Sequence, residues 1–326
     1  MVYRAGLAAK GLRVCRYVQK QTDKPMIYNW NIIGHEKQLK MLERDITSGN
    51  LAHAYLLYGP SHVGKYTVAK KLASILQCEN NFCGVCPTCV QIRKGSHIDT
   101  MEYENNHEPI KIGDIRDIIS RCNMSSQSRY KIVILQSIAR MTPEAANAFL
   151  KTLEEPHENT VFIMTTGFVK DVLPTIASRA RIVKFHLFSS EFLAKTLKEL
   201  YPESDDETIK QVSKLSLGKA GRAIDLMNEP DKLAYFLKLY KDALYLLDTD
   251  NIVEKFSYVE ELNEDEGKRR DFIGVLTHVL RSKLFEKNAL DKKEKFIKMI
   301  ASVAEADVLI KRNVNSRLVL ENLMLI

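Results

Sequence analysis

Ala54-Tyr55-Leu56-Leu57-Tyr58-Gly59-Pro60-Ser61-His62-Val63-Gly64-Lys65 is an apolar run that passes directly into a Gly-x4-Gly-Lys turn. The run has the length and composition of a buried strand of a parallel sheet. Residues 65–76 behind it carry the apolar spacing of a helix. Strand, glycine loop and helix in that order make a phosphate-binding loop. Its backbone N–H groups and helix N-terminus face an anion, and the lysine reaches the terminal phosphates. Gly59, Gly64 and Lys65 are therefore the first candidate nucleotide-binding residues.

Outward from this unit, short apolar runs alternate with amphipathic stretches as far as residue 186, the pattern of a parallel sheet covered by helices. Strands are predicted at 54–58, 98–103, 131–136, 161–166 and 181–185, and helices at 65–76, 111–122 and 143–154. Thr142 is the N-cap of the last of these helices, Pro143 opens it and Pro156 stops it. Beyond Phe185 only helices are expected: 190–200, 207–215 and 220–228, the second opened by the capping box Ser204-Asp205-Asp206-Glu207. Four or so longer amphipathic helices follow Asp231, with a polar break at 264–269. The expected plan is a basic tail (1–25), an α/β P-loop domain (26–186), a small helical lid (187–229) and an all-α C-terminal domain (230–326).

The loop departs from a working NTPase site in several places. The residue after Lys65 should carry a hydroxyl for magnesium, and here it is Tyr66. Thr67 is one residue further on, turned by about 100° around the helix. His62 stands where a small residue would approach the phosphates. The apolar run 131–135 should end in an acid pair that holds magnesium and orients water, but the chain continues Gln136-Ser137. Nucleotide binding is weakened, and whether ATP occupies the altered loop is left open.

Cys78, Cys83, Cys86 and Cys89 fall within twelve residues, directly behind the loop helix. Four thiolates at this spacing can enclose a tetrahedral zinc ion with no open coordination position, a structural site. An iron–sulfur cluster is the alternative. Cys122 is expected as a packed thiol and Cys15 as a tail thiol.

The net charge of +7 is unevenly placed. Residues 1–25 carry Arg4, Lys10, Arg13, Arg16, Lys20 and Lys24 against Asp23, five of those seven charges. The body is nearly balanced, so composition gives no argument for nucleic acid. The tail reads as a mobile extension, or as a start set too early with Met26 the true beginning. A transit-like or nucleic-acid-touching arm is the alternative. No apolar run is long enough to span a membrane, and the cytoplasm is the expected compartment.

Ala146-Asn147-Ala148-Phe149-Leu150-Lys151-Thr152-Leu153-Glu154-Glu155-Pro156 resembles the segment written NALLKTLEEP in bacterial clamp-loader subunits, an AAA+ family of DNA polymerase III. Asn31-Ile32-Ile33-Gly34 precedes the first helix as in that family. Thr165-Thr166 is similar to its sensor-1 position, and Ser178-Arg179 to its Ser-Arg-Cys motif with Ala180 for the cysteine. Gly221-Arg222-Ala223 is similar to its sensor-2 helix. The resemblance implies an AAA+ domain with an inserted zinc module at 78–89, a helical lid and a helical collar. It adds Thr165 and Arg222, and with them Thr67, to the degenerate nucleotide site. It makes Arg179 an arginine finger directed at ATP on a neighbouring subunit, against the plainer reading of a surface arginine in an ion pair. Loss at Tyr66, Gln136 and Ser137 with Arg179 retained is the pattern of the delta-prime type, and an ATP-hydrolysing gamma or tau type is the alternative. Gamma/tau and delta subunits, the sliding clamp and primed DNA are the partners it implies. Glu154 and Glu155 are expected to be solvated at a helix end.

Overall fold

Five strands, β1 (Ala54–Tyr58), β2 (Thr100–Tyr103), β3 (Lys131–Leu135), β4 (Thr160–Thr166) and β5 (Arg181–Lys184), form one sheet in the order β2-β3-β4-β1-β5. Every neighbouring pair is parallel. The computed structural model describes residues 27–80, 82–104, 108–285, 293–312 and 314–325. The expected basic tail and Cys15 lie outside them.

Side chains alternate between the two faces of each strand, and both faces are covered. Tyr55, Leu57, Ile132, Ile134 and Ile163 point to one side. There they meet Leu39 and Leu42 of α1 (Glu36–Thr47) and Val68, Leu72 and Ile75 of α2 (Lys65–Gln77). Leu56, Val133, Leu135, Phe162 and Met164 point to the other. They pack against Ile115 and Ile118 of α4 (Ile112–Cys122) and Phe149 and Leu153 of α5 (Pro143–Glu154). Leu39, Leu72 and Phe149 have no exposed surface, and full burial of such a side chain contributes about 1.5–3 kcal/mol each. The short α3 (Pro87–Arg93), α6 (Pro174–Ala177) and α7 (Ser190–Leu200) complete this part of the chain.

Helix ends explain several boundaries. Thr142 caps α5 as expected, its Oγ1 accepting from the Ala145 N–H at 3.3 Å. Lys131, almost fully buried, donates from Nζ to the carbonyls of Arg121 (2.8 Å), Cys122 (3.1 Å) and Met124, which closes the C-terminal end of α4. The strand predicted from residue 98 begins only at Thr100, and Ile98 is exposed. Asp99 is taken up instead by the backbone N–H groups of Gln127 and Ser128. The capping box predicted at Ser204 is also displaced. α8 (Asp206–Leu215) is capped by Asp205, whose carboxylate accepts from the Thr208 N–H at 2.8 Å.

The described residues divide into two compact units. The first takes those up to Ser204 together with Lys219–Arg222, and the second takes Asp205–Gly218 and those from Ala223 onward. The second unit is helical. It contains α8, the part of α9 (Ala220–Asn228) from Ala223, α10 (Pro230–Asp248), α11 (Ile252–Glu264), α12 (Glu266–Phe285), α13 (Lys293–Lys311) and α14 (Ser316–Met324). Its core holds Phe236, Leu239, Val259, Leu262, Phe272, Val275, Leu276 and Leu320. The polar break predicted at 264–269 shrinks to Asp265. Its carboxylate accepts from the Lys268 N–H at 3.0 Å and starts α12 one residue after α11 ends.

Candidate nucleotide and metal sites

The glycine loop joins β1 to α2 under tight backbone constraints. Gly59 has φ 145°, and a Cβ on it would lie 2.3 Å from the Phe185 carbonyl oxygen, so no other residue fits. Gly64, at φ 98°, is the N-cap of α2 and turns the chain into the helix. Lys65 folds back over the loop, its Nζ donating to the carbonyls of Gly59 and Pro60, both at 2.6 Å. Burial, reinforced by the positive charge of Lys219, pushes the Lys65 ammonium down to about 8. The Gly221 N–H donates to the His62 carbonyl at 2.9 Å, and a Cβ there would come within 2.7 Å of that oxygen. The buried Arg222 follows directly. Lys65 and Lys219 thus put two positive charges at the loop, which suits an anion.

The metal side of the loop is built differently from a hydrolysing site. The Tyr66 hydroxyl donates to Glu102 Oε2 on β2, which also pairs with Lys70 Nζ at 3.0 Å. The helix that carries Tyr66 packs over β4 and β3, which lie between β1 and β2, and this brings the phenol to the β2 carboxylate. Burial and this bond hold the phenol neutral, well above the usual tyrosine range. Next to it, Gln136 Nε2 donates to Glu104 Oε1 at 3.0 Å, and the Ser137 N–H donates to Thr165 Oγ1 at 3.1 Å. Tyr66 and Gln136, at the positions where a magnesium site has its hydroxyl and carboxylate, are thus each bonded to a glutamate. Thr67 is exposed on α2.

Arg179 stands two residues past α6, in a side chain 36% exposed. Its Nη2 lies 2.5 Å from Glu154 Oε1 at the end of α5, and its Nη1 donates to the Thr175 carbonyl at 3.0 Å. Glu154, expected to be solvated, is thus a partner of the arginine. Sequence spacing could not pair a helix-end residue with one 25 positions on in a turn.

The four cysteines converge. Cys78 Sγ is 3.9 Å from Cys83 Sγ and 3.8 Å from Cys86 Sγ, and all four sulfurs lie within 4.8 Å of one another. Tetrahedral coordination with Zn–S near 2.3 Å sets sulfur pairs about 3.8 Å apart, so the cluster fits a single metal ion such as zinc. α3, absent from the predicted elements, presents the last ligand. Cys86 is its N-cap, accepting from the Cys89 N–H at 3.4 Å, with Pro87 at its first position. The Cys86 N–H in turn donates to Cys83 Sγ at 3.3 Å. Such backbone donors, from Val85 and Cys86, pull the Cys83 thiol down to about 6, toward the thiolate a metal needs. Cys122 is buried under the sheet, as expected.

Residues 34–189 match the family described as DNA polymerase III, delta subunit. The gamma subunit of DNA polymerase III from Buchnera aphidicola subsp. Schizaphis graminum is 29% identical over 279 residues, 83% of this chain and 76% of its own. The delta' subunit from Pseudomonas aeruginosa is 35% identical over 178 residues, 51% of this chain and 53% of its own. A gamma subunit-related protein of known structure from Thermotoga maritima aligns with TM-score 0.54 and 25% identity, over 87% of this chain and 97% of that one. Over these segments the chain is similar to gamma- and delta-type subunits of bacterial DNA polymerase III. It spans about half the length of the delta' relative.

The residues singled out from the sequence fall into three separate places. Gly59, Gly64, Lys65 and Thr165 belong to the loop and the strand end beside it, with Arg222 at the start of α9, Arg179 to the α5–α6 edge, and the cysteines to the segment between α2 and β2. No helix of the described residues is long and apolar enough to cross a membrane.

Proposed function

We propose that this chain is a clamp-loader subunit of the delta-prime type. It does not hydrolyse ATP itself, and it directs Arg179 at the terminal phosphate of ATP on a neighbouring gamma/tau-type subunit. The observation that carries this is the network at the head of α2, where Tyr66 is tied to Glu102 and Gln136 to Glu104. Magnesium needs a hydroxyl and a carboxylate at those positions, and the attacking water needs a base. Arg179, at an exposed edge, can stabilise charge that develops on a partner's phosphate without any nucleotide of its own. A structural zinc on Cys78, Cys83, Cys86 and Cys89 would cross-link the segment behind α2. The assembly would include gamma/tau and delta subunits and act with the sliding clamp and primed DNA in the cytoplasm.

The purified chain alone is expected to release no phosphate from ATP above background. Turnover that disappears in Lys65→Ala would establish the second reading, an ATP-hydrolysing gamma/tau type, which the longer match to the gamma relative favours. In the assembled complex, Arg179→Ala should leave assembly intact and lower DNA-stimulated hydrolysis at the dependent interface, where arginine fingers are worth about 10³–10⁵ in rate. Arg179→Lys should rescue little, since lysine lacks the planar fork.

A further inference from the structure

We propose that Glu154 is a latch on Arg179. It holds the guanidinium at the edge of the subunit until a phosphate on the neighbouring subunit displaces it. The inference rests on the trans-acting role proposed above for Arg179.

Arg179 is not a loose surface side chain. One end of its fork meets Glu154 Oε1 at 2.5 Å, and the other meets the Thr175 carbonyl at 3.0 Å and Ser178 Oγ at 3.4 Å. Thr175 and Ser178 belong to the turn that carries the arginine, so they fix the base of the side chain. Glu154 belongs to α5, an element anchored in the sheet core through Phe149 and Leu153. Only Glu154 therefore ties the guanidinium to a separate element, and it is the one charged partner among these three.

The strength of this tie suits a reversible hold. Arg179 and Glu154 side chains are 36% and 49% exposed, and an ion pair at such a site has a small net worth. A phosphate brings more charge and accepts two parallel N–H bonds from a guanidinium, a stronger pairing than one carboxylate oxygen. Glu154 and the phosphate then compete for the same N–H donors. Before the phosphate arrives, the latch keeps a long side chain out of the many rotamers it would otherwise sample. Once the phosphate is in place, the carboxylate is released to solvent beside Glu155, which is also exposed.

A competitor of this kind acts on nucleotide binding more than on the chemical step. The experiment is an ATP titration of hydrolysis by the assembled complex with its cognate gamma/tau and delta subunits, clamp and primed DNA. Complexes carrying Glu154→Gln, Glu154→Ala and Arg179→Ala are compared with the unmodified one, with assembly checked by gel filtration. Both Glu154 variants are expected to lower the half-saturating ATP concentration about two- to fivefold, the range a surface ion pair spans, with the maximal rate kept. Arg179→Ala is expected to lower the maximal rate. If Arg179→Ala lowers the rate while the Glu154 variants leave half-saturation unchanged or reduce the maximal rate, the latch is wrong and the trans-acting role stands. If Arg179→Ala changes nothing in an intact complex, the trans-acting role falls and the latch with it.

Discussion

Tyr66 shows how one side chain can convert a nucleotide loop into a structural joint. A hydroxyl on a short side chain at this position would stay near the loop. The phenol instead carries its oxygen from a helix lying over β4 and β3 to a carboxylate on β2 that Lys70 also neutralises. Tyr66→Phe keeps the ring and removes only the donor. It should destabilise the first unit by about 1.5–3 kcal/mol, the worth of a hydrogen bond to a charged acceptor, read as a shift in the urea midpoint at constant slope. No gain of ATP turnover should accompany it, because Gln136 still offers no carboxylate. Arg179 and Glu154 make a similar point: both side chains are partly exposed, and only the fold brings them together as a pair.

α3 and the cysteine cluster form an element whose order depends on its ligands more than on its length. Seven residues are too few for a stable isolated helix, and α3 is instead held by the N-cap bond at Cys86, by the convergence of four sulfurs and by Ile92 buried in the core. Cys86→Ser removes a ligand but keeps the cap, since a serine hydroxyl accepts from the Cys89 N–H at least as well as the sulfur does. Metal content should fall below one per chain, and amide exchange should rise through residues 78–94 while the strands β1, β3 and β4 keep their protection. Loss of exchange protection across the whole sheet would mean that the cluster supports the fold and not only its own segment. Iron in place of zinc in the purified protein would replace the zinc assignment with the alternative metal.

The stability of the molecule should depend on pH through histidines that are buried without charge. His35 is 3% exposed, packed among Phe185, His186 and Phe188, with Nε2 against the Val63 carbonyl at 3.2 Å. Burial and the neighbouring His186 lower its pKa from 6.5 to about 4. Burial also lowers His97 in the same unit and His278 in the helical unit. Between pH 6.5 and 4 the unfolded chain binds the proton that folded His35 refuses, so stability is complete above that range and declines as pH falls through it. The His35 contribution is roughly 3 kcal/mol, measurable as a falling urea midpoint from pH 7 to pH 4.5 that His35→Phe should flatten. A flat profile for the unmodified protein would show that His35 is not buried neutral. The parallel sheet, the loop and the metal cluster were legible in the sequence because each rests on local order: apolar runs of strand length, a glycine turn between strand and helix, cysteines close enough to reach one ion. Helix starts were legible only to within a residue, as at Ser204 and Asp205, where two adjacent side chains could cap and the one that reached the Thr208 N–H prevailed. The destination of Tyr66, the pairing of Gln136 with Glu104 and the hold of Glu154 on Arg179 join residues 25 to 36 apart. Such contacts depend on strand order and helix placement, and no spacing along the chain encodes those distances.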